Sequence, residues 1–65
     1  METIGIVGLG LIGGSLGLDF VAAGYRVLGV ARRPETCQLA QQRKVVHEAS
    51  CQVDLLKEAD LIFIC

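Results

Sequence analysis

No surplus of charge of either sign marks this sequence: six lysines and arginines face seven aspartates and glutamates, a formal net charge of −1. That balance excludes a disordered, strongly charged tail. It also leaves no global basic field to attract nucleic acid or an anionic membrane. Proline occurs once and glycine follows no period of three, so collagen-like and proline-rich segments are excluded. The three cysteines, Cys37, Cys51 and Cys65, contain no Cys-x-x-Cys pair, and the lone histidine, His47, completes no zinc site with them at the usual spacings. Reduced thiols of a cytoplasmic protein are the expectation. A long hydrophobic run is missing too. The longest uncharged stretch, Thr3 to Leu18, is interrupted by glycines and ended by Asp19, short of the ~20 apolar residues a spanning helix needs. Gly10–Gly14 and Gly13–Gly17 match the small-xxx-small pattern of membrane helix pairs, but length and glycine content oppose that reading. Met1-Glu2-Thr3 lacks the basic start of a signal peptide.

What remains is apolar and glycine-rich: 52% of 65 residues are hydrophobic and eight are glycine. A chain near this size buries only roughly 60% of its unfolded surface, so its core is marginal. Thr3 to Val7 reads as a buried strand ending at glycine. From Leu11 to Ala23 the residues Ile12, Leu16, Phe20 and Ala23 recur at helical spacing, with Gly24 as the stop. Arg26 to Ala31 reads as a second strand. Pro34 suits the first turn of a helix reaching about Arg43, and Glu35 complements its dipole. Val45 and Val46 predict a short third strand with His47 at its end. Asp54 to Ala59 predicts a short helix, capped by Asp54, with Leu55, Leu56 and Ala59 toward the core. Leu61 to Cys65 predicts a fourth strand, apolar on both faces as central parallel strands are. The order βαβαβαβ implies an α/β fold with a parallel sheet and right-handed crossovers. Because the chain stops within that last strand, the expectation is an N-terminal piece of a longer protein, with the remainder of the domain missing.

Gly8-Leu9-Gly10-Leu11-Ile12-Gly13 fits G-x-G-x-x-G, following a predicted strand and opening a predicted helix within one βαβ unit. Gly8 permits the tight turn, Gly10 lets a pyrophosphate approach the backbone, and Gly13 lets the helix pack closely on the sheet. The free N–H groups of the first turn, at Leu11, Ile12 and Gly13, then meet the anion. The alternative is a glycine-rich turn without ligand. An NAD site usually carries Asp or Glu at the end of the second strand, to bind the ribose 2′-OH. Here Ala31 stands there, followed by Arg32 and Arg33. No carboxylate repels a 2′-phosphate and two guanidiniums can pair with it. One hydrogen bond to a charged group contributes about 1.5–3 kcal/mol, enough for ten- to hundredfold discrimination. NADP is therefore the expected cofactor; the bland alternative is a solvated arginine loop. Ser15 either touches a phosphate or is an ordinary exposed serine. His47 reads as a surface histidine, and Asp19, Asp54, Glu58 and Asp60 as solvated helix faces.

The run Ile-Gly-Ile-Val-Gly-Leu-Gly-Leu-Ile-Gly-Gly-Ser-Leu-Gly, Ile4 through Gly17, resembles the opening of prephenate/arogenate dehydrogenases, with Ile12-Gly13-Gly14-Ser15 its most specific part. Gly24-Tyr25 before strand two and Ala59-Asp60-Leu61-Ile62 entering strand four fit as well. The resemblance covers essentially the whole chain and implies a Rossmann-type domain, of which these residues are the first half. It implies an NADP-dependent oxidoreductase of tyrosine biosynthesis: hydride leaves the ring carbon bearing the hydroxyl, carbon dioxide departs, and the ring becomes aromatic. The family's catalytic histidine is expected downstream, so no catalytic residue is assigned here and the 65 residues alone are expected to be inactive. The family's helical C-terminal domain, which builds a homodimer, is likewise expected beyond this chain. Ala31-Arg32-Arg33 resembles NADP-dependent members, often specific for arogenate. Prephenate as substrate, another NADP-dependent dehydrogenase or reductase of the same fold, and a non-catalytic NADP-sensing module stay open as alternatives.

Overall fold

The computed structural model describes residues 2–65, apart from the side chains of Leu11 and Ile12. Four strands, β1 (Thr3–Val7), β2 (Arg26–Val30), β3 (Glu48–Ser50) and β4 (Leu61–Ile64), form one parallel sheet in the order β3-β2-β1-β4. Helices α1 (Leu11–Ala22) and α2 (Pro34–Gln42) and a 3-10 helix (Val53–Glu58) connect them. This is the Rossmann-like α/β arrangement expected, in part. No described helix is long and apolar enough to cross a membrane.

Side chains alternate across a strand, so β1 serves two layers. Ile4 and Ile6 join Val27, Leu9, Ala40 and Val46 in the main buried cluster. Ile6 lies beneath α1: a Cβ placed on Gly13 or Gly17 would meet its side chain at 3.5 and 3.4 Å. Gly5 faces the other way. A Cβ there would stand 2.7 Å from Leu56 Cδ2 and 3.1 Å from the Ala59 methyl, so the 3-10 helix covers the opposite face. Leu55, Leu56 and Ala59 are half-buried, as their pattern predicts.

Both α-helices end in the same way. The Gly24 N–H donates to the Val21 carbonyl at 3.0 Å and the Tyr25 N–H to Phe20 at 3.1 Å, with Gly24 at φ +95°. The Tyr25 ring meets Phe20 edge-on at 5.6 Å, the hydrophobic contact that accompanies this Schellman cap. At the end of α2 the Lys44 N–H donates to Gln41 and the Val45 N–H to Ala40, each at 3.1 Å. Here the left-handed residue is Lys44, at φ 59°. A side chain in that region costs roughly 1–2 kcal/mol, of which glycine's greater unfolded-state freedom gives back about half. Lys44→Gly is therefore expected to raise stability by about 0.5–1 kcal/mol, read as an increased midpoint in thermal unfolding; a lowered midpoint would refute it.

The third strand lies further along than Val45–Val46. Val45 is used in the α2 cap, and Val46 is buried, its Cγ1 3.0 Å from a Cβ built on Gly29. The apolar pair thus fills the core before the ladder begins, and Glu48–Ser50 form the strand at the sheet's edge. His47 precedes that strand instead of ending it. Its N–H donates to the Val27 carbonyl at 2.8 Å, and its Nδ1 accepts the Val27 N–H at 2.9 Å. The imidazole stands in for a backbone acceptor and extends the ladder.

Two further expectations change near the second face. Gln52, not Asp54, occupies the cap position of the 3-10 helix, and Asp54 sits inside its first turn. Asp60 is no solvated helix residue: Oδ2 accepts the Thr3 N–H at 2.8 Å while its own N–H donates to the Thr3 carbonyl at 2.7 Å. Glu58 pairs with Arg26 at 2.9 Å, and Glu48 pairs with the same guanidinium at 3.0 Å. The bond to Glu58, more than that to Glu48, pushes the Arg26 guanidinium above its ordinary range. Other element bounds hold to within a residue. Among the described residues β4 pairs with β1 alone, leaving Leu61, Ile62 and Ile64 exposed, while Phe63 stacks on Phe20 at 5.3 Å.

Candidate cofactor-binding site

From β1 the chain builds outward through β2 and β3, then returns to place β4 on the other side of β1. The strand order therefore reverses between β1 and β4, whose carboxyl ends lie side by side; in open α/β sheets ligands bind at such a reversal. Gly8 is the first residue past β1. It has φ +94°, its N–H donates to the Val30 carbonyl at 2.8 Å, and a Cβ would lie 2.8 Å from the Cys65 carbonyl oxygen. A side chain is excluded there by conformation and by space alike.

Gly10 caps α1 in extended conformation, and nothing stands within 4 Å of where its Cβ would be. Its lack of a side chain is not required by packing and keeps the approach to the helix open. The first helical bond beyond the cap runs from the Gly14 N–H to the Gly10 carbonyl at 2.8 Å. The N–H groups of Leu11, Ile12 and Gly13 precede it and have no partner within the helix, and no side chain caps them. Only their backbones bear on this assignment; the side chains of Leu11 and Ile12 lie outside the described residues. Gly13 is buried against the turn, where a Cβ would collide with the Gly8 carbonyl oxygen.

A cleft of about 360 Å³ opens at these strand ends, lined among others by Val7, Gly8, Val30, Ala31, Arg32 and Cys51. Gly8, Ala31 and Arg32 are thus brought together. Arg33 is exposed and takes the cap position of α2 in extended conformation, outside the cleft lining. Gly10 and the exposed Ser15 instead line a groove of about 680 Å³ between α1 and α2. That groove is larger, but it lies on a helix face and holds none of the strand-end residues. The two openings thus divide the sequence-predicted residues, Gly8, Ala31 and Arg32 on the smaller cleft and Gly10 on the larger groove.

Cys51 and Val53 also line the cleft and were missed in the sequence. The signal was the end of β3; with that strand misplaced, its carboxyl end pointed to the wrong residue. Desolvation first, and then the neighbouring Cys37 thiol, push the Cys51 thiol above its ordinary range. No cluster of three or more histidine, cysteine or acidic side chains that could hold a metal occurs among the described residues.

A glycine turn with unpartnered helix N–H groups at the switch point is an anion-binding frame of the dinucleotide type. Residues 3–65 match the family model described as NADP oxidoreductase, coenzyme F420-dependent. The chain belongs to this family. Among solved structures this NADP oxidoreductase domain is similar to the arogenate dehydrogenase of Synechocystis, with 45% identity and a TM-score of 0.97 over 98% of the chain. It is also similar in fold to the prephenate dehydrogenase of A. aeolicus, solved with hydroxyphenyl propionate and NAD+ (22% identity, TM-score 0.86, 98% of the chain). The 3-hydroxyisobutyrate dehydrogenase of Mycobacterium tuberculosis, solved with L-serine, gives 26% identity and a TM-score of 0.83 over 98% of the chain. The chain spans 23%, 24% and 22% of those three proteins respectively. No curated protein matches it. The resemblance of the glycine-rich opening to the prephenate/arogenate dehydrogenases is thereby borne out.

Proposed function

We propose that this chain is the cofactor-binding part of an NADP-dependent arogenate dehydrogenase, which converts arogenate to tyrosine by oxidative decarboxylation. The observation that carries this reading is the carboxyl end of β2, where Ala31 and Arg32 share a cleft with Gly8 and no acidic side chain stands at the position of Ala31. The 45% identity to an arogenate dehydrogenase supports the choice of substrate.

The residues fit the cofactor. The open space at Gly10 and the free N–H groups of Leu11, Ile12 and Gly13 would hold the pyrophosphate, next to the turn at Gly8. Arg32, with Arg33 beside it, would pair with the 2′-phosphate, and Ala31 leaves room for it. When bound, NADP supplies a nicotinamide able to accept a hydride. The chain's own part is to bind and orient: helix N–H groups neutralise phosphate charge without a proton transfer, and the guanidiniums select the phosphorylated ribose. Arogenate is the hydride donor; the residues that hold it and the group that takes its hydroxyl proton are assigned to the rest of a cytoplasmic, homodimeric enzyme.

The test is a reduction assay on the full-length protein, pairing arogenate or prephenate with NADP or NAD. Activity confined to arogenate with NADP is expected. Turnover of prephenate would overturn the substrate, and silence in all four mixtures from protein that binds NADP would overturn the enzyme assignment.

A further inference from the structure

Cys37 and Cys51 flank Ala31. The Cys37 thiol donates to the Ala31 carbonyl oxygen at 3.8 Å. The Ala31 N–H donates to the Ser50 carbonyl at 3.1 Å, which brings Cys51, the next residue, to the same point of the sheet's carboxyl edge. Cys51 lines the cleft together with Ala31 and Arg32. Cys37 is buried in α2, Cys51 is exposed, and neither is in a disulfide. The two cysteines thus converge on one residue, Ala31, from α2 and from the end of β3. Cofactor binding as derived above uses neither sulfur.

We infer that Cys37 and Cys51 form a dithiol modification site that closes to a disulfide by exchange with a low-molecular-weight disulfide such as oxidised glutathione, and that closure disturbs the Arg32 edge of the cleft. The second half rests on the function proposed above; the first does not. The exposed Cys51, as thiolate, attacks one sulfur of the glutathione disulfide; the S–S bond breaks and one glutathione leaves as thiolate. Cys37, its proton lost to solvent, then attacks the Cys51 sulfur of the mixed disulfide, and the second glutathione leaves. Two protein thiols are oxidised and one glutathione disulfide is reduced to two glutathiones. Exposure sets the order, because buried Cys37 is shielded from the reagent. Its upward-shifted thiol makes Cys51 a slow first nucleophile at neutral pH. The cross-link withdraws the Cys37 thiol from the Ala31 carbonyl and ties α2 to the end of β3. The Arg32–Arg33 turn lies between β2 and α2, so it must adjust.

The experiment uses the full chain carrying Cys65→Ser, treated with glutathione disulfide, acid-quenched and mapped by peptide mass spectrometry. A linked Cys37–Cys51 peptide is expected, reversed by dithiothreitol and absent from Cys37→Ser and Cys51→Ser, with Cys37→Ser retaining glutathione on Cys51. NADP affinity of the oxidised chain should fall about tenfold, the loss of one charged hydrogen bond, and recover on reduction. A lasting mixed disulfide at Cys51 beside reduced Cys37 would overturn the cross-link. A linked chain with unchanged NADP affinity would overturn its effect on the cleft. The peptide map needs no cofactor, so a reduced chain that fails to bind NADP counts against the proposed function and leaves the cross-link standing.

Discussion

Gly13→Ala is expected to lower the stability of this protein by about 2 kcal/mol, close to 10 °C in the midpoint of thermal unfolding for a domain of this size. The sign is opposite to the usual one. In a helix interior, alanine is better than glycine by roughly 0.8–1 kcal/mol, so an open site would gain stability. At Gly13 the new methyl would run into the carbonyl oxygen of Gly8. That oxygen is backbone and belongs to a turn held by the Gly8 N–H bond to Val30, so it has no rotamer by which to retreat. Relief requires lifting α1 from β1 and loosening the packing above Ile6. Overpacking costs about 1–3 kcal/mol, and a collision with fixed backbone takes the top of that range, so about 2 kcal/mol of loss remains after the propensity gain. Gly10→Ala is the control. No atom stands within 4 Å of its methyl, so the midpoint should hold within about 0.5 kcal/mol while NADP affinity falls. Unfolding curves and cofactor titrations of the two variants separate a glycine kept for packing from one kept for the ligand. An unchanged or raised midpoint for Gly13→Ala would show that the helix has more room than its distances allow.

Arg32→Ala is expected to weaken NADP binding ten- to hundredfold and to leave NAD nearly unchanged. The two cofactors differ only by the 2′-phosphate, and a guanidinium pairing with it contributes about 1.5–3 kcal/mol. Arg32 lines the cleft, whereas Arg33 sits at the start of α2 outside that lining, so Arg33→Ala should have the smaller effect. Titrating both cofactors against each variant is decisive: equal losses for NADP and NAD after Arg32→Ala would remove the 2′-phosphate assignment. Ala31→Asp supplies the complementary case. A carboxylate at the end of β2 should repel the 2′-phosphate, offer the ribose 2′-OH an acceptor, and shift preference toward NAD.

Both predictions draw on residues that stand out in the amino-acid sequence alone, and the reason is locality. Each glycine of the Gly8–Gly13 turn has a task defined within a few residues, and the strand before it and helix after it have clear patterns. Gly24 as a helix stop is legible for the same reason. Lys44, with no such chemistry, gives no sign that it takes the left-handed position that ends α2. Val45 and Val46 mislead because apolar β-branched residues suit a strand and a core equally, and periodicity over two residues does not separate the uses. The wrong end of β3 then hides Cys51 and Val53 from the site.

The sequence by itself determined the α/β class, the succession of elements, the dinucleotide-type turn and the absence of an acidic residue at Ala31, with two arginines after it, because hydrophobic period, glycine chemistry and charge act over short stretches. Only the tertiary structure decided what depends on residues far apart along the chain. Asp60 receives the Thr3 N–H across 57 positions, and His47 receives that of Val27 across 20. In the same way Cys37 and Cys51 meet at Ala31 only because β3 pairs beside β2. A polar side chain completes a ladder, and two thiols become neighbours, only once the sheet has brought their partners to them.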